Sequence, residues 1–543
     1  MNNRIVSSLC VLCALALAIQ RASAQGALSP TAAPAPTMLT LSQVEPRTPI
    51  TNAPVTISVP GSYYLTTNLS VTTGNAITIT SSNVTLDLRG FTISSPASST
   101  IGSAILLNSG NDIAILNGNI TSGLTYNGST YSGGGFANGI FLNAASPSGL
   151  RVSGVSISGC ASYGINLTGA SGSVVEFCTV STVGGDGIFA DSVANSAAVA
   201  CGGIGILAIT AKNCDANVTG SGDGLIANNA QNCQGSSSSG TGLQVNNNAE
   251  NCTGTSISGT GLGAGNNCTV KGCTAGGGGK YGINVGIGCT VIGCTASGAS
   301  GIGILVSNGC TVADCTSYGN SNDGINVGVG TVVRGCTSYQ NGYNGVTTTN
   351  NCTVIDCTAS ANANWGIVLN GNNLTVIGCA ASANSTGIGA GNNSTVIGCT
   401  VTANSGDGID PGNNCSVKDC TAAANFLNGI SPRNNCTVKD CTADGNDVGI
   451  YVYGNNCQVA GNTCSGNKTD GIYVLGGQNR IDGNSVGSNT FYGIQAVYLN
   501  VTNSITRNSA PGNGAGGYGN FPGNNDYAPI QAPNSSTNPW ANF

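Results

Sequence analysis

Cysteine recurs in this chain at an almost constant interval, and that interval restricts the fold more than any other feature. One column runs through Cys273, Cys294, Cys315, Cys336, Cys357, Cys379, Cys399, Cys420 and Cys441, at spacings of 20 to 22 residues. A second, five residues earlier, holds Cys268, Cys289, Cys310, Cys352, Cys415, Cys436 and Cys457, with Thr331, Leu374 and Ser394 at intervening positions. A third marker is Gly followed by Ile, Leu or Val, from Gly261-Leu262 to Gly429-Ile430. Earlier turns are shorter, with Cys214, Cys233 and Cys252 spaced 19 apart. Self-similarity at such a period is the mark of a solenoid.

Within one unit, Cys268 and Val270 face one way and Thr269 the other, the period-two alternation of a strand. Lys271-Gly272 is a bend, Cys273-Thr274-Ala275 repeats the alternation, and Gly282-Ile283-Asn284-Val285 gives a third strand. None of these short strands can bury its inner face alone. Stacking copies about 4.8 Å apart lets each strand pair with the copies above and below. The expectation is an all-β, right-handed parallel β-helix solenoid, with three strands per turn and about 20 turns between Ile77 and Ile494. Its length would be on the order of 95 Å. The scarcity of charge (7%) and of aromatics (5%), with 84 Gly, agrees with a repetitive all-β array.

Residues 1–24 have the form of a signal peptide: Arg4, an apolar run Ile5–Ile19, then Ala22-Ser23-Ala24 before the cleavage point. Residues 25–54 are a Pro-, Ala- and Thr-rich linker, and 55–510 the solenoid. The solenoid has opening turns over 55–120, an inserted loop at 121–138 and regular repeats over about 252–462; residues 511–543 form a Gly-, Pro- and Asn-rich tail. The exported chain is expected to be secreted or extracytoplasmic, with no membrane span. Losing Arg4 and Arg21 leaves 13 basic against 21 acidic residues, a net charge of −8. That balance argues against nucleic acid as a partner.

The segment Val84-Thr85-Leu86-Asp87-Leu88-Arg89-Gly90-Phe91-Thr92-Ile93 resembles the first turn of many secreted bacterial proteins of the right-handed parallel β-helix repeat family, the pectin-lyase-like superfamily. Ile481-Asp482-Gly483-Asn484 and Ile505-Thr506-Arg507-Asn508 carry the asparagine ladder that this family often shows. The resemblance covers roughly residues 55–510. It implies the fold, and with it a range of roles: lyases, hydrolases, epimerases and adhesins.

Cys and Asn share one column, since Cys441 is followed at the same interval by Asn462, Asn484 and Asn508. Stacked neighbours hold their Cβ atoms at strand spacing, wider than the roughly 3.8 Å that a disulfide prefers. The 23 cysteines after residue 24 are therefore expected to form a reduced thiol ladder, with Cys201 and Cys464, in irregular turns, as the places for bridges. No metal site is expected from the Cys pairs. Outward Thr forms two further columns, beginning at Thr269 and Thr274. Those columns are either β-branched surface filler or a hydroxyl array for a repetitive surface such as glycan or ice.

The chain has no His, which excludes His-dependent triads and the His-containing motifs of the family's polygalacturonases and alginate epimerases. Charge concentrates in residues 407–447. A lyase would take its base from Lys418, Arg433 or Lys439 and bind sugar or a cation through Asp407, Asp410, Asp419 and Asp440. No cofactor is called for otherwise; the lyase reading would add Ca²⁺ at Asp407 and Asp410. Lys418 and Lys439, like Asp419 and Asp440, should stack in adjacent turns, where the alternative is a surface salt-bridge ladder. Asp186, Asp223, Asp323, Asp407 and Asp470, just before the Gly-Ile step, suit turn chemistry. Two functions follow. One is a non-catalytic structural, adhesive or glycan-binding extracellular protein, with a polysaccharide or cell-surface glycan as partner. The other is a polysaccharide lyase or glycoside hydrolase acting on uronate-containing polysaccharide.

Overall fold

In the computed structural model, residues 45–497, 502–519, 525–531 and 537–543 are described. The expected signal peptide, residues 1–24, and most of the expected linker, residues 25–54, lie outside the described residues. The chain divides into two units, Met1–Thr48 and Pro49–Phe543. Among the described residues of the first, Glu45 pairs with Arg47 at 2.7 Å. The second is a parallel β-solenoid of about 22 turns.

One regular turn shows why these residues make these strands. Thr269–Lys271, Thr274–Gly276 and Tyr281–Val285 are its three strands, which we call first, second and third. Val270, Ala275, Ile283 and Val285 point inward and are buried, while Thr269 and Lys271 are exposed. The strands pair in register with Thr290–Ile292, Thr295–Ser297 and Ile302–Val306 of the next turn. The core is thus a stack of Val, Ile and Ala columns with cysteine at the corners. Outward Thr stacks as the interval requires, Thr269 on Thr290 on Thr311 and Thr274 on Thr295 on Thr316.

All three corners are tied from turn to turn by side chains. At the first-to-second corner the Cys273 N–H donates to Cys294 Sγ (3.5 Å) and the Cys294 N–H to Cys315 Sγ (3.4 Å). Asparagine then takes over: the N–H groups of Cys441, Asn462 and Asn484 donate to Oδ1 of Asn462, Asn484 and Asn508, each at 2.9 Å. A thiol and an amide serve here as alternative acceptors for the same backbone donor. At the third-to-first corner Cys268, Cys289, Cys310 and Thr331 are linked likewise, and Cys457 hands over to Asn479. The second-to-third corner carries a third ladder, which the cysteine interval does not announce. It runs through Asn320, Asn341, Asn362, Asn384, Asn404, Asn425, Asn446, Asn467 and Asn489, each amide donating to the next carbonyl oxygen.

All 23 cysteines among the described residues are free and buried. Cys201 and Cys464, where sequence allowed bridges, have no thiol above or below them. Cys201 stacks between Val183 and Val218, and Cys464 between Ala443 and Val486. Burial pushes the Cys160 and Cys201 thiols up to about 12 and Cys178 to about 11.

The glycine of the Gly-Ile step is required by close approach. A Cβ on Gly387 would lie 2.0 Å from Val401 Cγ1 and 2.9 Å from Asn404 Nδ2, within the third asparagine ladder. Within the stretch 121–138, Thr125–Tyr126 and Tyr131–Ser132 form an antiparallel hairpin. It straps later turns through the Tyr131 hydroxyl, which bonds Ala200 O and Thr219 Oγ1 at 2.7 Å.

The stretch from 511 onward supplies closing pieces: Gly516–Gly519 pairs with Tyr492–Ala496, and Asn542 accepts from the Asn508 N–H. Close by, the Asp482 carboxylate accepts from Arg507, Thr506 and Arg480. The Arg507 bond above all holds its carboxyl down at about 2. A folded pKa below the unfolded one gives stability that is present above the ordinary carboxylate range and lost as pH falls toward 2. Asp482→Asn should therefore destabilise the last turns at neutral pH and flatten their pH dependence in acid. Hydrogen exchange of residues 480–508 across pH would show this, and an unchanged acid profile would refute it.

Candidate functional site

The third strands of consecutive turns present one outward column: Val368, Gly389, Asp410, Ser431, Tyr451 and Tyr473. Gly389 is the low point. A Cβ there would come within 2.3 Å of Trp365 Cζ3, so the indole lies across the space that a side chain would fill. The backbone N–H of Trp365 donates to Asn344 Oδ1 at 3.2 Å.

Beyond Gly389 the Asp410 carboxylate is four-fifths shielded and meets the Arg433 guanidinium, which reaches back one turn, at 3.2 Å. Burial pushes the Asp410 carboxyl above its ordinary value, opposed by Arg433. The Arg433 guanidinium is in turn pushed up by Asp410. Asp407 is already engaged: its Oδ1 accepts from the N–H and Nδ2 of Asn428 (3.0 and 2.9 Å) and its Oδ2 from Ser431 Oγ (3.1 Å). The other aspartates before the Gly-Ile step act alike. Asp186, Asp223, Asp323 and Asp470 each accept a backbone N–H from the next turn.

Two hollows share Asp410 and Arg433. One of about 340 Å³ is bounded by Trp365, Gly389 and the amides Asn370, Asn372 and Asn392. The other, about 350 Å³, is bounded by Asp407, Asn428, Tyr451 and Tyr453. Tyr451 stacks on Tyr473 with ring centroids 5.2 Å apart, and Tyr453 is 63% exposed. Together they form a shallow groove along the solenoid axis. From Gly389 to Tyr451 is three turns, about 14 Å at strand spacing.

The sequence candidates thus fall into two groups. Asp407, Asp410 and Arg433 meet in the groove. Lys418, Lys439, Asp419 and Asp440 line neither hollow. Lys418 stacks on Lys439 as the interval requires, yet each lysine pairs with the aspartate next to it, at 3.4 and 3.5 Å, on an exposed corner. Trp365, Tyr451 and Tyr453 were not among the candidates. Tyr451 and Tyr453 are neighbours in one turn, their ring centroids 6.4 Å apart, but Trp365 lies several turns away, and only the bare Gly389 and the column from it to Tyr451 join the two ends. No group of three or more acidic, Cys or His side chains able to hold a metal occurs among the described residues.

The decisive comparison concerns the repeats that carry this groove. Residues 330–463 match the family model described as the right handed beta helix region. The chain is a right-handed parallel β-helix. No curated protein sequence matches it. Among solved structures, it is similar to the A-module of a mannuronan C-5 epimerase from Azotobacter vinelandii (16% identity, TM-score 0.31, 59% of this chain and 91% of that one). It is similar also to the Dettilon tailspike protein (15%, TM-score 0.32, 54% and 62%) and to an alginate lyase from Paenibacillus sp. (15%, TM-score 0.29, 45% and 92%). At these identities the likeness is one of fold. Among the described residues, no helix of the β-helix protein is long and apolar enough to cross a membrane.

Proposed function

We propose that this protein is exported and serves as a non-catalytic β-helix that holds a polysaccharide along the groove between Trp365 and Tyr453. The observation that carries the proposal is the pairing of flat aromatic surfaces at both ends with an ion pair between them. Sugar rings offer apolar faces that rest on indole and phenol rings. Their hydroxyls take hydrogen bonds from Arg433 and the rim amides and give them to Asp410. Extended along the axis, the groove suits a linear chain.

The ionisable groups favour binding over bond breaking. A lyase base must give up its proton, and Asp410 holds Arg433 in the charged form. The raised carboxyl of Asp410 is the one feature that favours a hydrolase, as a general acid. A hydrolase of that type needs a second carboxylate to act beside the acid, and Asp407, the other carboxylate of the groove, is held in place by Asn428 on Oδ1 and Ser431 on Oδ2.

Affinity electrophoresis against immobilised neutral and uronate-containing polysaccharides tests this. At least one polymer should retard the protein, and Trp365→Ala should weaken that binding about tenfold or more. Chromatography of the polymers after long incubation should show them intact. Unsaturated or shortened products that disappear with Arg433→Ala or Asp410→Asn would overturn the proposal in favour of a lyase or hydrolase.

A further inference from the structure

A larger hollow lies elsewhere, on the first-to-second corner of the early, shorter turns. It is an open trough of about 780 Å³ bounded by Phe177, Asn195, Asn213, Asn232 and Asn251, with Asp215 also among the residues that line it. The first five occupy the same corner position in successive turns, all with left-handed backbone, φ between 48 and 54°. Asparagine adopts that conformation readily, and a bulky side chain does not. Phe177 nevertheless sits there with φ 54° and is 61% exposed, so burial of its ring does not offset the strain.

The amides beside Phe177 form a solvent-facing ladder. Asn213 Nδ2 donates to Asn195 Oδ1 at 2.9 Å and Asn232 Nδ2 to Asn213 Oδ1 at 3.2 Å. Each amide keeps a second N–H and a second lone pair to offer. The corner repeats at strand spacing, so the four steps from Phe177 to Asn251 make a strip of about 19 Å. Among the lining residues the one charged side chain is Asp215, and burial pushes its carboxyl up. An anionic chain would meet that carboxylate, and no cation is among the residues that line the trough. An uncharged ligand with a flat apolar face and many hydroxyls meets a matching surface.

We propose that this trough is a second carbohydrate site, which takes a linear uncharged glycan with one ring stacked on Phe177 and its hydroxyls bonded to Asn195, Asn213 and Asn232. It differs in chemistry from the groove at Trp365, where a guanidinium is present, and it stands or falls independently of that groove.

The test is calorimetric titration of the full chain with cellohexaose, mannohexaose and xylohexaose, with Phe177→Asn as the variant. Asparagine is what the next four turns carry at this corner, so this variant should fold with an unchanged or higher melting temperature. At least one hexasaccharide should bind the parent protein, and Phe177→Asn should weaken that binding about tenfold. Failure of all three to bind would overturn the proposal. So would equal affinity in Phe177→Asn, which would put the ligand elsewhere and leave the groove at Trp365 untouched. A fall in melting temperature would also overturn it, because the ring would then serve the fold.

Discussion

Replacing Asn425 by Ala should lower the stability of the repeats around it by about 4 kcal/mol, a large effect for one exposed-looking polar residue in a polar sequence. Asn425 is fully buried. Its Oδ1 accepts from both the N–H and Nδ2 of Asn404, and its Nδ2 donates to Asn446 Oδ1 and Val401 O. Alanine would leave the Asn404 N–H and one amide hydrogen without partners in a dry interior, each costing about 1–3 kcal/mol, and would open a void where the amide had been. Because each repeat touches only its neighbours, the damage should be local at first. Hydrogen exchange should quicken at Asn404 and in the turns beside it before the ends of the solenoid respond. A loss below about 1 kcal/mol would show that the ladder is not what holds this corner.

The second large effect concerns the thiols. The chain without residues 1–24 should show almost no reaction with a thiol reagent while folded, and 23 reactive thiols once unfolded without reductant. The sulfurs are buried, with no cysteine among the described residues more than 3% exposed. Burial holds Cys160, Cys178 and Cys201 in the unreactive protonated form at neutral pH. Thiols that appear only after reduction would contradict the ladder. Export normally favours disulfides. Here the stacking distance and the burial of every sulfur among the described residues oppose them.

The fold was readable because one interval governs everything at once. A strand that pairs with its own copy must repeat its inward, outward and corner residues together, so the Cys, Thr and Gly-Ile columns carry one message. The ladder from Asn320 to Asn489 obeys the same interval, yet it does not stand out in the sequence because Asn is common at every corner and marks no column by itself. The Asn-Asn-Cys triplets have a similar explanation. In Asn413-Asn414-Cys415 the first amide accepts a backbone N–H from the next turn, the second residue takes the left-handed backbone, and the third is buried.

The site was less readable, for a geometric reason. Residues one period apart, such as Lys418 and Lys439, are related by the repeat interval itself. Asp410 and Arg433 are 23 apart, and they meet because a long side chain reaches back from beyond the strand end. The aromatic walls are harder still. Trp365 matters only because Gly389, in the next turn, has no side chain. No pattern of Trp and Tyr along the chain contains that relation.

The central claim is that the third face holds an intact sugar chain between Trp365 and Tyr453. The most direct measurement is a crystal structure of the protein soaked with a hexasaccharide cut from a polymer that it binds. The account predicts an uncleaved chain running along the solenoid axis, one ring on the indole of Trp365, another on Tyr451 or Tyr453, and the Asp410–Arg433 pair between them. A cleaved product in the groove, or a sugar chain bound elsewhere with the groove empty, would contradict it.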